Sequence, residues 1–117
     1  MGPSDRVVQS VLLGEAVEHA PVAILVADDE MQYVAANATA CELLGYSREE
    51  LLGLKVTDIA SYPEAEGEFE AMISTGELVG RTVVTRKDGS RRSLRYRSSE
   101  IRIAGLEYYV AVLWPES

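Results

Sequence analysis

The sequence predicts an α+β domain with one five-stranded antiparallel sheet, a cap of short helices and an amphipathic helix at its N-terminus. Three observations lead there. Strand-like runs at 23–36 and 79–114 enclose a helical middle. Turn chemistry at Asp28-Asp29-Glu30, Lys87-Asp88-Gly89 and Ala104-Gly105 joins neighbouring runs as hairpins. Glycines at 45, 53 and 76 cut the middle into separate helical pieces.

Residues 4–20 read as the first helix, with Ser4 as its cap and Asp5 in the first turn, where the helix dipole favours an anion. Val8, Val11, Leu12 and Ala16 recur at helical spacing, and Leu13, Val17 and Ala20 widen the stripe. Gly14 costs such a helix about 1 kcal/mol against alanine, so the stripe needs a partner surface: the domain's own sheet or a second copy. Pro21 ends the helix. Residues 23–27 (AILVA) have strand length and composition, and residues 32–36 return as the second strand.

Asn37 stands where the apolar period changes from two to 3.6, a natural N-cap for a helix reaching Leu44 and closed by Gly45. Ser47 and Glu50 have capping-box spacing, which predicts a second short helix over 48–52 stopped at Gly53. Residues 55–63 read as irregular, with one turn near 57–60, and 64–74 as a longer helix turning Phe69, Met72 and Ile73 inward. Strands follow at 79–86, 91–103 and 107–114. In the second of these, Leu94, Tyr96 and Ser98 alternate with Arg95 and Arg97, so one face is buried and the other wet. The organisation is a flanking helix over 1–20 and one domain over 21–117.

Composition narrows function. The chain has 117 residues and a net charge of −8, with one cysteine (Cys41) and one histidine (His19). An internal disulfide framework and cysteine- or histidine-rich metal sites are excluded. The acidic balance argues against nucleic acid as a partner, because phosphate binding depends on Lys and Arg. No apolar run approaches the roughly 20 residues that span a bilayer, and the N-terminus lacks signal-peptide order, so no membrane role and a cytoplasmic setting are expected. Charge is unevenly spread: residues 1–79 carry −12 and residues 80–117 carry +4. Ordinary solvated faces account for this, as would a pair of opposed fields that orient a partner.

Several local motifs together resemble the PAS sensor domain. They are the stretch from Ala20-Pro21 to Asp28, Asn37-Ala38, the run from Leu44-Gly45-Tyr46-Ser47 to Leu52-Gly53, Pro63-Glu64, and Arg86-Lys87-Asp88-Gly89-Ser90. They stand in the family's order and cover residues 14–114. The resemblance implies a regulatory sensor module of a longer signalling protein, with an output domain as partner. It also implies a cavity between sheet and cap, holding a small apolar or amphipathic ligand near Tyr33, Leu43, Phe69, Met72, Ile73 and Tyr96. Homodimerisation through Val8, Val11 and Leu12 is the accompanying expectation, and a ligand-free dimerisation module is the alternative. The chain lacks the family's Asp-x-Thr ending, since Leu113-Trp114 is followed by Pro115-Glu116-Ser117.

No cofactor is identified. The helix over 64–74 has no histidine of the kind haem-binding relatives use, and the region before it reads Thr57-Asp58-Ile59-Ala60 rather than the cysteine motif of flavin photoreceptors. The sequence therefore supports neither haem nor a covalent flavin adduct. Catalysis is not expected either: His19 has no nucleophile motif beside it, and Glu64, Glu66, Glu68 and Glu70 spread around their helix instead of converging. Asp28-Asp29-Glu30 reads as turn chemistry rather than a cation site.

Overall fold

The structure, a computed structural model, describes residues 5–60 and 77–115. The elements run α1 (Arg6–Glu18), β1 (Ala23–Asp28), β2 (Tyr33–Ala36), α2 (Ala38–Leu44), α3 (Arg48–Leu51), α4 (Val56–Ile59), β3 (Glu77–Thr85), β4 (Arg91–Ile103) and β5 (Leu106–Pro115). The five strands form one sheet in the order β2-β1-β5-β4-β3, antiparallel throughout. The expected α+β architecture is observed.

This order places the helices. β2 and β3 are opposite edges of the sheet, so the chain between them must cross one face. Two isolated bridges mark that crossing, Gln32 with Lys55 at the start of α4 and Ala60 with Val84 on β3. The inner face is accordingly the buried one. Ala23, Leu25 and Ala27 of β1, Leu94 and Tyr96 of β4 and Leu113 of β5 meet Leu44, Leu51 and Ile59 of the cap in a single core cluster. Fully burying a side chain of the size of Leu44 or Leu51 contributes about 1.5–3 kcal/mol.

Local chemistry sets the helix ends. The α1 cap is Asp5, whose Oδ1 accepts from the Val7 and Val8 N–H groups at 2.9 and 3.4 Å. This corrects the expected assignment by one residue: a carboxylate at the cap satisfies the first free N–H groups directly, and Ser4 lies outside the described residues. Gly45 closes α2 at φ 79, a left-handed conformation that a β-carbon would strain. Ser47 and Glu50 exchange both capping-box hydrogen bonds at the start of α3. The helical turn near 57–60 begins one residue earlier, at Val56, with the Asp58 carboxylate accepting from the Lys55 N–H. The helix expected over 64–74 lies outside the described residues.

The hairpins obey their turn residues. Asp28 Oδ1 accepts from the Glu30 and Gln32 N–H groups at 2.9 and 3.0 Å, so this carboxylate is engaged in the turn. Ala104 and Gly105 both have positive φ, which gives the β4–β5 turn the twist of its strands. β3 starts at Glu77, two residues before the expected position, because its ladder with β4 continues to the Glu77–Ser99 pair.

Glu50 also ties the cap to the β3–β4 hairpin by an ion pair with Lys87. The hydrogen bond from Lys87, with that from the Ser47 N–H, lowers the Glu50 pKa from 4.5 to about 2. A depressed carboxylate contributes stability that is complete above its unfolded value and lost as pH falls through the folded one. Lys87→Ala is thus expected to return Glu50 toward 4.5 in an NMR titration and to flatten the acid loss of stability between pH 4.5 and 2. An unchanged Glu50 titration in the variant would remove this tie from the acid response.

Candidate functional site

The inner sheet face carries two of the residues named from the resemblance. Tyr33 and Tyr96 are both buried on it, as expected from the sequence. Burial pushes the Tyr33 phenol up, and the charge of Asp58 adds to the effect, so this hydroxyl stays neutral at any physiological pH. Tyr96 lies across Gly80, its cross-strand partner on β3. A β-carbon built at position 80 would sit 3.1 Å from the Tyr96 hydroxyl, a tight contact that glycine relieves. Leu43 is half-buried against the core from α2. Phe69, Met72 and Ile73 lie outside the described residues, so the expected cluster is placed only in part.

Small and hydroxyl-bearing side chains surround these tyrosines. Ala23 and Ala27 of β1, Thr82 of β3 and Ser98 of β4 are buried on the same face. Ser98 was legible from the alternation along its strand. Thr82 was not, because residues 82–85 read TVVT and give no clear period.

A second constellation joins α1 to the cap, and sequence reasoning saw only one of its members. The Asn37 side chain accepts from the Ile24 N–H at 2.9 Å and the Ala40 N–H at 3.0 Å. It donates to the Val17 carbonyl at 2.7 Å and the Val22 carbonyl at 3.0 Å. The N-cap role was expected; the bonds back to α1 and its exit were not. Glu18 accepts from the Ala38 N–H at 2.7 Å and from Arg48 Nη2 at 2.6 and 2.7 Å. Arg48 Nε donates to the Ala36 carbonyl, and Thr39 Oγ1 donates to the Ala20 carbonyl. The C-terminal end of α1 is therefore bonded to the β2–α2–α3 junction.

The body of α1 is different. No residue in it is buried: Val7 is 64% exposed, Val11 59%, Leu12 56% and Leu13 64%, while Val8 is half-buried. Of the two surfaces the sequence leaves open for this stripe, the domain's own sheet does not bury it. The bonds at Asn37 and Glu18 hold the C-terminal end of the helix, while its apolar side chains at 7, 11, 12 and 13 stay exposed.

The remaining candidates are placed without ambiguity. His19 is an exposed C-cap residue facing Glu15. Cys41 is half-buried, and burial pushes its thiol up, away from the thiolate that nucleophilic chemistry needs. Arg95 and Arg97 are exposed on the outer sheet face. No helix among the described residues is long and apolar enough to cross a membrane.

The family model of the PAS domain matches residues 21–113, most of the chain. The chain belongs to the PAS domain family. Solved PAS domains share its fold. One from a two-component sensor histidine kinase superposes with a TM-score of 0.84 at 16% identity, covering 94% of this chain and 98% of that one. The PAS domain of an HTR-like protein from Haloarcula marismortui gives 0.80 at 23% identity, with 91% and 90% covered. A PAS domain from Colwellia psychrerythraea gives 0.82 at 18% identity, with 92% and 96% covered. A comparison with curated protein sequences finds no match. At these identities the likeness is one of fold, and the function of this PAS domain rests on its own residues.

Proposed function

We propose that this PAS domain is a signal-sensing module of a longer signalling protein. A small ligand between the inner sheet face and the cap biases the packing of α1 on a second copy, and an output domain reads that change. The observation that carries this reading is α1. It exposes an apolar stripe along its body while its end is bonded, through Asn37 and Glu18, to the cap that would close over a ligand. A helix of 13 residues containing Gly14 is marginal alone, so it needs the partner surface that a second copy supplies. A ligand biases the equilibrium only if it fits one packing better than another; Tyr33, Tyr96 and Leu43 on the sheet and cap are the residues to register it. Support for the signalling context comes from the family and from the sensor kinase whose PAS domain this one resembles.

The second reading, a ligand-free dimerisation module, draws on the tightly packed centre, where Leu44, Leu51, Ile59 and Leu94 are fully buried. Native mass spectrometry of the purified domain, with an absorption spectrum alongside, separates the two. Extra mass on the folded chain that is lost on denaturation is the expected result. A clean apo mass with a dimer peak would replace sensing by dimerisation alone.

A further inference from the structure

We infer that the far end of the β4–β5 hairpin is the second half of the seam between two copies of this chain, with Ile103 and Leu106 of one copy set against those of the other. This rests on the reading of α1 as a dimer helix and adds a surface that α1 lacks. The first ground is area. α1 has 13 residues, so two such helices touching along one stripe share a strip about 20 Å long and about 10 Å wide. That is roughly a quarter of the ~800 Å² per partner that a stable interface buries. A second apolar surface has to supply the rest.

Among the described residues the hairpin holds one. β4 pairs with β3 as far as Ser99, and β5 with β1 as far as Tyr108. The β4–β5 ladder runs on past both, through Arg102–Glu107 to Ile103–Leu106. The end of the hairpin is therefore a two-stranded ribbon that projects beyond the ladders of its neighbours. Its two faces differ. Leu94, Tyr96 and Ser98 of β4 are buried on the inner face, so the period of two puts Ile101 and Ile103 on the outer one, with their partners Tyr108 and Leu106. The opposite face carries the Arg102–Glu107 ion pair. Ile103 is 55% exposed and Leu106 60%, directly across from each other. The apolar strip continues into the sheet through Val110 and its cross-strand partner Val26.

The second ground is the turn. Ala104 has φ 52, a left-handed conformation that asparagine, aspartate or glycine takes with less strain. Alanine leaves residues 103–106 without one polar side chain, so the tip stays apolar against the preference of its own turn. Charge fixes where the copies meet. Arg81, Arg95 and Arg97 are exposed on the same outer face, toward the other end of β3 and β4. A two-fold contact centred there would bring each arginine toward its own counterpart, so the contact is centred on the ribbon and the arginines stay outside it.

Threonine at both tip positions tests this, because it keeps a strand preference and forms a compatible cross-strand pair. Sedimentation of Ile103→Thr/Leu106→Thr over a concentration series is compared with the parent domain and with Val79→Thr, which removes an equally exposed side chain on β3. Circular dichroism establishes folding, and neither Ile103 nor Leu106 belongs to the core cluster. Dimerisation of the double variant is expected to weaken about 100-fold, and that of Val79→Thr to stay within about threefold of the parent. A folded double variant that dimerises like the parent would overturn the inference and leave the α1 reading intact. That result together with amide shifts at Ile103 and Leu106 of the ¹⁵N-labelled parent on adding phosphatidylcholine vesicles would assign the ribbon to a lipid surface instead. A parent that stays a single chain at every concentration would remove the α1 reading, and this inference with it.

Discussion

Asn37→Ala is expected to be the most damaging single substitution outside the apolar core, lowering stability by about 3–5 kcal/mol. Asn37 is 4% exposed and its amide makes four hydrogen bonds, two as acceptor and two as donor. Alanine leaves the Ile24 and Ala40 N–H groups and the Val17 and Val22 carbonyls without those partners. Each such group costs about 1–3 kcal/mol when water cannot replace the bond. The sum is held below the simple total because Val17 and Val22 lie near the surface, where solvent recovers part of the loss. On a domain of this size the melting temperature should fall by on the order of 10–20 °C. Asn37→Ser restores a cap acceptor and should recover about 1 kcal/mol, leaving the bonds to α1 unmade. Chemical denaturation of the three proteins checks both values. A loss below about 1 kcal/mol for alanine would mean that this amide caps α2 and nothing more.

The contrast between Asn37 and Glu18 shows where the sequence is informative. Gly45, the Ser47–Glu50 capping box and the Ala104-Gly105 turn are legible because each acts on neighbours within a few residues, and the structure forms all three. Asn37 is legible to the same extent: its cap on Ala40 is three residues away and was expected, whereas its bonds to Val17 and Val22 cross 20 and 15 residues. The Glu18–Arg48 pair spans 30 residues, and no local pattern announces it. The inner-face set divides likewise. Tyr96 and Ser98 follow from the period of two in their strand, but the close approach of the Tyr96 ring to Gly80 on the neighbouring strand is a fact of register. The fate of the α1 stripe was undecided in sequence because an apolar period tells that a face needs cover and says nothing of what covers it.

That stripe carries the second large effect. Val11 and Leu12 are each more than half exposed, and their neighbours Val7 and Leu13 extend the same apolar surface. Full burial of such side chains contributes roughly 1.5–3 kcal/mol each, and a two-fold pair of helices would bury them twice over. Glutamate at both positions would place four like charges in that seam with no cation opposite, since α1 has only Arg6 as a basic side chain besides the histidine that caps it. Folding should survive the change, because neither side chain belongs to the core cluster. Sedimentation equilibrium of the parent domain and of Val11→Glu/Leu12→Glu, with circular dichroism to establish folding, tests the central claim directly. The parent is expected at twice the 12.8 kDa chain mass and the double variant at the mass of one folded chain. A parent that sediments as a single chain, or a folded double variant that keeps the dimer mass, would contradict the role given to α1.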